Sequence, residues 1–156
     1  MIRTQVQAPP QAWAALLRAH AVTTRALSAQ LVADHGLTIN DLEALLRLSH
    51  AEDQRMRRVD LADALLLTAS GVTRLLDGLE SAGLVERATC ASDRRVVYAV
   101  LTEAGRAKLQ EASESHLAEV QALFEERFDE DELAQLGELL GRLHGGDAAT
   151  AEECTP

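Results

Sequence analysis

The sequence has few aromatic residues, with one tryptophan, one tyrosine and two phenylalanines among 156 residues. Because 47% of the chain is nonetheless hydrophobic, disorder is excluded and the core must be aliphatic. Cysteine is equally scarce. Cys90 and Cys154 stand far apart, outside any metal-ligand spacing, and read as incidental residues of a hairpin tip and a tail. No apolar run is long enough to cross a bilayer, and Met1–Pro10, polar with one arginine, has no secretory pattern, so a cytoplasmic protein is expected. A phosphate-cradling glycine loop is absent, as are His-x-x-x-His and Cys-x-x-Cys pairs. The five histidines, His20, His35, His50, His116 and His144, fall on different predicted helices or at helix ends. These absences argue against an enzyme, a metal site or a bound cofactor.

What is present is an uneven charge. The net charge of −10 looks wrong for a partner of nucleic acid until it is divided along the chain. Residues 55–95 hold seven arginines against six acids, whereas residues 109–156 hold two arginines against thirteen acids. Such asymmetry fits a molecule that presents one face to phosphate and keeps the rest soluble.

The stretch from Val59 to Thr102 carries the motif. Val59–Leu65 reads as a short helix with Val59, Leu61, Ala62 and Leu65 able to face a core. Thr68 or Ser70 can cap the N-terminus of the next helix, in which Val72, Leu75, Leu76 and Leu79 follow at helical spacing. Ser70, Thr73, Arg74 and Asp77 occupy its exposed side. Short hydroxyl residues let a helix approach a phosphate backbone, and Arg74 can reach a guanine in the major groove. Gly83 can adopt the left-handed conformation that stops the helix. Val85–Ala88 then runs to a polar turn at Thr89–Asp93, and Arg94–Thr102 returns as a β-branched strand. Two helices, a turn and a two-stranded hairpin with adjacent arginines at its tip have the order of a winged helix-turn-helix. Asp93 can orient Arg94 or Arg95 for insertion into a narrow minor groove.

The run Ser70-Gly71-Val72-Thr73-Arg74-Leu75-Leu76-Asp77-Gly78-Leu79-Glu80-Ser81-Ala82-Gly83-Leu84-Val85-Glu86-Arg87, followed by Asp93-Arg94-Arg95 and Leu101-Thr102-Glu103-Ala104-Gly105, resembles the MarR family of bacterial transcription regulators. The resemblance extends from about Trp13 to Leu143. It implies a mainly α (α+β) fold and an obligate homodimer. Its recognition helices would enter successive major grooves of double-stranded DNA at a palindromic operator, while the wing arginines reach the minor groove. On this reading residues 37–103 are the DNA-binding lobe, and residues 1–36 and 104–146 form an intertwined dimerisation region. Residues 147–156 are expected to be a disordered tail.

The flanking helices support that division. Residues 11–33 carry Trp13, Leu16, Leu17, His20, Thr24, Leu27 and Leu31 on one stripe, beginning after Pro9 and Pro10. Thr38 is the expected N-cap of a following helix, with Asp41 as a capping-box partner and Leu42, Leu45, Leu46 and Leu48 as a floor for the reading helices. Ala51–Met56 reads as a charged link. Arg55, Arg57 and Arg58 beyond it are either phosphate contacts or part of a solvated loop. Glu103–Phe128 is a long helix with Leu109, Ala112, His116, Val120, Leu123 and Phe124 along one side. Asp129–Glu132 restarts the chain for Leu133, Leu136, Leu140 and Leu143, which end at Gly145–Gly146. A small winged lobe cannot cover these extra stripes, so a second copy is the simplest cover.

The resemblance also implies a small aromatic carboxylate or phenolic effector held between the dimerisation helices and the winged lobe. Arg18 could fork a carboxylate and His20 could hydrogen-bond a phenol, with Trp13 and Thr24 nearby. The plainer reading makes Arg18 a surface residue and His20 a satisfied residue at a subunit interface. A repressor is the favoured function; the alternative is a winged-helix protein-interaction module that reads no sequence. Arg74, Arg94 and Arg95 discriminate, since an interaction module needs no guanidiniums at both groove helix and wing tip.

Overall fold

The computed structural model describes residues 8–90 and 95–144. The expectations for Asp93, Arg94, the Gly145–Gly146 stop, Cys154 and the tail from residue 147 fall outside these. Packing separates the chain into two compact units, divided between His116 and Leu117.

In the first unit, α1 (Ala8–His35) begins three residues before the expected start. Pro9 and Pro10 lie inside its first turn, where a missing N–H breaks no intrahelical bond and the fixed φ already suits a helix. The expected apolar stripe is real in position but is buried only at Leu31. Trp13 is 60% exposed and Leu17 is exposed too, because no element of the unit covers the N-terminal half of α1. His35 ends the helix and is tied to a later helix, α5 (Glu103–Glu125), by a 2.6 Å hydrogen bond between Nε2 and the Ser115 hydroxyl.

α2 (Ile39–His50) starts with the expected capping box. The Thr38 N–H donates to Asp41 Oδ2 at 2.8 Å, and the Asp41 N–H donates to Thr38 Oγ1 at 3.2 Å. These two bonds satisfy donors that the first turn cannot satisfy internally. Leu42, Ala44, Leu45 and Leu48 turn into the core and meet Leu61, Ala62, Val72, Leu76 and Leu79 there, so the leucine floor forms as expected.

The charged link is a correction. Instead of a loop, a 3₁₀ turn at Glu52–Gln54 leads into a strand, β1 (Arg55–Arg57), which pairs antiparallel with β3 (Val97–Leu101). The sheet is therefore three-stranded, in the order β1-β3-β2, rather than a two-stranded hairpin. Only pairing with Tyr98, Ala99 and Val100 makes Arg-Met-Arg a strand, and that information is far away in the chain. β2 (Val85–Thr89) pairs on the other side, from Val85 opposite Leu101 to Thr89 opposite Val97. Val85, Ala99 and Leu101 close the core over α2 and the helix at Ala69–Ser81.

α3 (Arg58–Ala64) and α4 (Ala69–Ser81) are the helix-turn-helix pair. Leu61 and Ala62 are buried, but Val59 is not, contrary to the sequence reading. Two residues before Leu61, it lies about 200° round the helix and faces water. α4 is capped by Thr68, whose Oγ1 accepts the Gly71 N–H at 3.1 Å, and it stops at Gly83, where φ is +73°.

The Leu-Thr-x-x-Gly exit of the wing has a steric explanation. Thr102 Oγ1 donates to the Gly83 carbonyl at 2.7 Å and accepts the Gly105 N–H at 3.0 Å, so one hydroxyl holds the α4 terminus and caps α5 (Glu103–Glu125). A Cβ on Gly105 would stand 2.0 Å from the Leu84 carbonyl oxygen; only glycine allows the helix to start so close to that turn. α5 buries Leu109 and Ala112 in this unit.

The second unit contains the end of α5, which stops at Glu125 rather than Phe128, and α6 (Glu130–Gly141). The Phe124 and Phe128 rings stack at a tilt with centroids 6.2 Å apart. Asp129 caps α6 in a second capping box with Glu132, as the acidic restart suggested. No residue of α6 is buried. The fold is thus mainly helical with one small antiparallel sheet. Among the described residues no helix is long and apolar enough to cross a membrane.

Candidate nucleic-acid interface

α4 buries Val72, Leu76 and Leu79 and shows Ser70, Arg74 and Asp77 to solvent, with Thr73 half-buried between them. The Thr73 hydroxyl donates to the Ala69 carbonyl at 2.7 Å, which leaves its oxygen as an acceptor. Ser70 and Thr68 hydroxyls lie 3.2 Å apart at the helix start. Arg74 makes no hydrogen bond or ion pair among the described residues, so its guanidinium is available to an external acceptor.

A carboxylate on a groove-facing helix would oppose phosphate, and the structure deals with two of them through one residue to which the sequence alone assigns no role. Arg87, on β2, pairs with Asp77 and also with Glu80, the latter at 3.0 Å from Nε. The three side chains cross from sheet to helix. Their pairing offsets the charge of Asp77 and fixes the base of the wing against α4. Sequence spacing gives no hint of it, because the ten residues from Asp77 to Arg87 include the helix stop.

The arginines of the former link are also engaged. Arg57 forks onto Asp60, its Nε 2.6 Å from Oδ2 and its Nη2 2.7 Å from Oδ1, and this partner raises the arginine pKa further. Arg55 lies 5.2 Å over the Tyr98 ring and 3.4 Å from Asp53. Arg58 is half-buried. Of the wing residues, Arg95 lies in the turn before β3 and is exposed, with contacts inside the protein, while Asp93 and Arg94 are outside the described residues.

The effector candidates are only partly brought together. His20 and Thr24 line an open depression on α1 with Arg25, Ser28 and Val32. Arg18 and Trp13 are exposed on the same helix but do not line it. The cation on this surface is therefore Arg25, one helical turn after Ala21, a residue the sequence reading passed over.

Comparison with known proteins bears on the family and the fold. The MarR family model matches residues 37–97, which contain the helix-turn-helix and most of the wing. The HTH-type transcriptional repressor YetL of Bacillus subtilis is 32% identical over 114 residues, covering 71% of this chain and 68% of its own. The chain belongs to the MarR family. Among solved structures, the MarR family regulator AbsC of Streptomyces coelicolor superposes with a TM-score of 0.76 at 34% identity, covering 89% of this chain and 94% of its own. Sco3205 from the same organism, another MarR family regulator and one solved in complex with DNA, superposes with a TM-score of 0.78 at 26% identity, over 90% and 88% of the two chains. This MarR-family chain is a DNA-binding transcription regulator and not an enzyme.

Proposed function

We propose that the protein is a dimeric repressor that reads a palindromic operator and is released from it by a small aromatic acid or phenol. The observation that carries this reading is the outer face of α4, where Arg74, beside Ser70 and Thr73, has no hydrogen-bond or ion-pair partner among the described residues while the nearby carboxylates are held by Arg87. In this reading residues 37–103 form the DNA-binding lobe, with Ser70, Thr73 and Arg74 in the major groove and Asp93, Arg94 and Arg95 at the minor groove. Residues 1–36 and 104–146 form the dimerisation region. Its support is the apolar surface left open on α1, α5, α6 and the 3₁₀ turn after α6, at Trp13, Leu17, Val22, Leu117, Leu139, Leu140 and Leu143. A two-fold pair would set two α4 helices one turn of DNA apart, roughly 34 Å. The effector would lie against α1, where Arg18 or Arg25 supplies the cation and His20, Thr24 and Trp13 the remaining contacts. Such a regulator works in the cytoplasm.

The test starts from duplexes selected by the wild-type protein out of a random pool. Arg74→Ala should weaken binding to the selected sequence by about 1 to 3 kcal/mol and should lose less on scrambled DNA. Equal losses on both would reduce Arg74 to a backbone contact. Failure of the wild type to select any sequence would leave the protein-interaction alternative standing.

A further inference from the structure

The two helices of the helix-turn-helix end in the same hydrogen-bond pattern with different residues at the left-handed position. After α4, the Leu84 N–H donates to the Leu79 carbonyl and the Gly83 N–H to the Glu80 carbonyl, both at 2.9 Å, with Gly83 at φ +73°. After α3, the Leu67 N–H donates to the Ala62 carbonyl at 2.9 Å and the Leu66 N–H to the Asp63 carbonyl at 3.2 Å, with Leu66 at φ +53°. This is the Schellman ending, and it asks for a residue without a Cβ. Leucine meets a steric penalty there that glycine at position 83 avoids.

No burial offsets that penalty. Leu66 is 93% exposed, the most exposed large hydrophobic residue of those described. A residue that is strained and also solvated adds nothing to the fold, and strain of this kind is kept where the side chain has work outside it. Its place says what that work is. Leu66 lies in the turn that joins α3 to α4, two residues before Thr68, the N-cap of α4, and four before Ser70 on the outward side of that helix.

We infer that Leu66 contacts DNA, its isobutyl group packing on a thymine methyl or a deoxyribose edge beside the groove entered by α4. The thymine methyl is the apolar group of the major groove, and an aliphatic side chain is the partner it takes. The contact gains on binding the burial that the free protein forgoes. This inference rests on α4 being the reading helix.

The experiment uses the full-length protein and the selected operator, with Leu66→Gly and Leu66→Asn, both of which tolerate positive φ. Each variant should melt higher, by about 2 to 4 °C for glycine. Each should also bind the operator about five-fold more weakly. Wild-type binding to an operator carrying uracil for thymine locates the contact: a loss that the Leu66→Gly variant does not share assigns the methyl, and no loss assigns the sugar. Raised stability with unchanged operator affinity overturns the inference. Arg74→Ala on the same operator separates this failure from a deeper one. If Arg74→Ala weakens binding and Leu66→Gly does not, only the role of Leu66 falls. If neither does, the reading of α4 falls with it.

Discussion

The winged lobe and the helical arms draw on the same aliphatic alphabet and use it in opposite ways. In the lobe, Leu45, Leu48, Leu61, Val72 and Leu76 are almost completely withdrawn from water, and α2, α3, α4, β2 and β3 all contribute to one cluster. In the arms, Leu31 and Leu109 reach that cluster, but other leucines at the same regular spacing stay open: Leu17 on α1, Leu117 on α5, and Leu139, Leu140 and Leu143 in and just after α6 are all exposed. Periodicity therefore identifies a face that must be covered, without saying by what. The lobe covers its own faces; the arms hold theirs out for another surface, which in the proposed dimer is the same arm of a second copy.

Substitution should divide the two regions sharply. In the lobe, Leu45→Ala leaves a cavity under α2 and should cost about 2 to 5 kcal/mol in denaturant unfolding at fixed protein concentration. A cost below 1 kcal/mol would mean that the lobe core is loosely packed and that the contrast fails. In the arms, Leu140→Glu should leave the circular dichroism spectrum intact and instead weaken self-association. Sedimentation equilibrium should give a dissociation constant raised at least ten-fold, about 1.4 kcal/mol. An unchanged constant would move the dimer contact away from α6, and loss of helicity would show that α6 is held by its own chain.

The lobe was legible in the sequence wherever a residue acts on its near neighbours. Thr38 with Asp41, Thr68 with Gly71, Gly83 and Asp129 with Glu132 each serve a helix end within three residues, and local chemistry is what a sequence displays. The exposed face of α4 was legible for the same reason. What escaped depends on distant partners. Arg55–Arg57 looks like a linker until β3 is beside it, and Arg87 looks like any strand arginine until Asp77 and Glu80 meet it. Val59 is a different case, since its apolarity argues for burial and its helical angle against it. The surface of α1 is less legible: the depression there is lined by His20 and Thr24, but its cation is Arg25, while Arg18 stands outside it on the same helix.

The smallest expected effect lies within α5, at the last residue of the first compact unit. His116 follows the buried Leu109 and Ala112 on α5 and immediately precedes the exposed Leu117. Its Nδ1 is buried without a hydrogen-bond partner, and burial pushes its pKa below the usual histidine value of 6.5. The sign follows from proton counting. Unfolding restores the ordinary value, so the unfolded chain binds a proton that the folded one resists, and stability is lost as pH falls through about 6.5. The loss ends once the folded form is protonated as well. Arg57, raised by Asp60, stays charged across this range and adds no slope. His116→Gln removes the titrating group, so its melting temperature should decline less than that of the wild type between pH 7 and pH 5, by about one or two degrees. Parallel profiles would show that the imidazole reaches water in the folded protein, and that the buried side of α5 ends before His116.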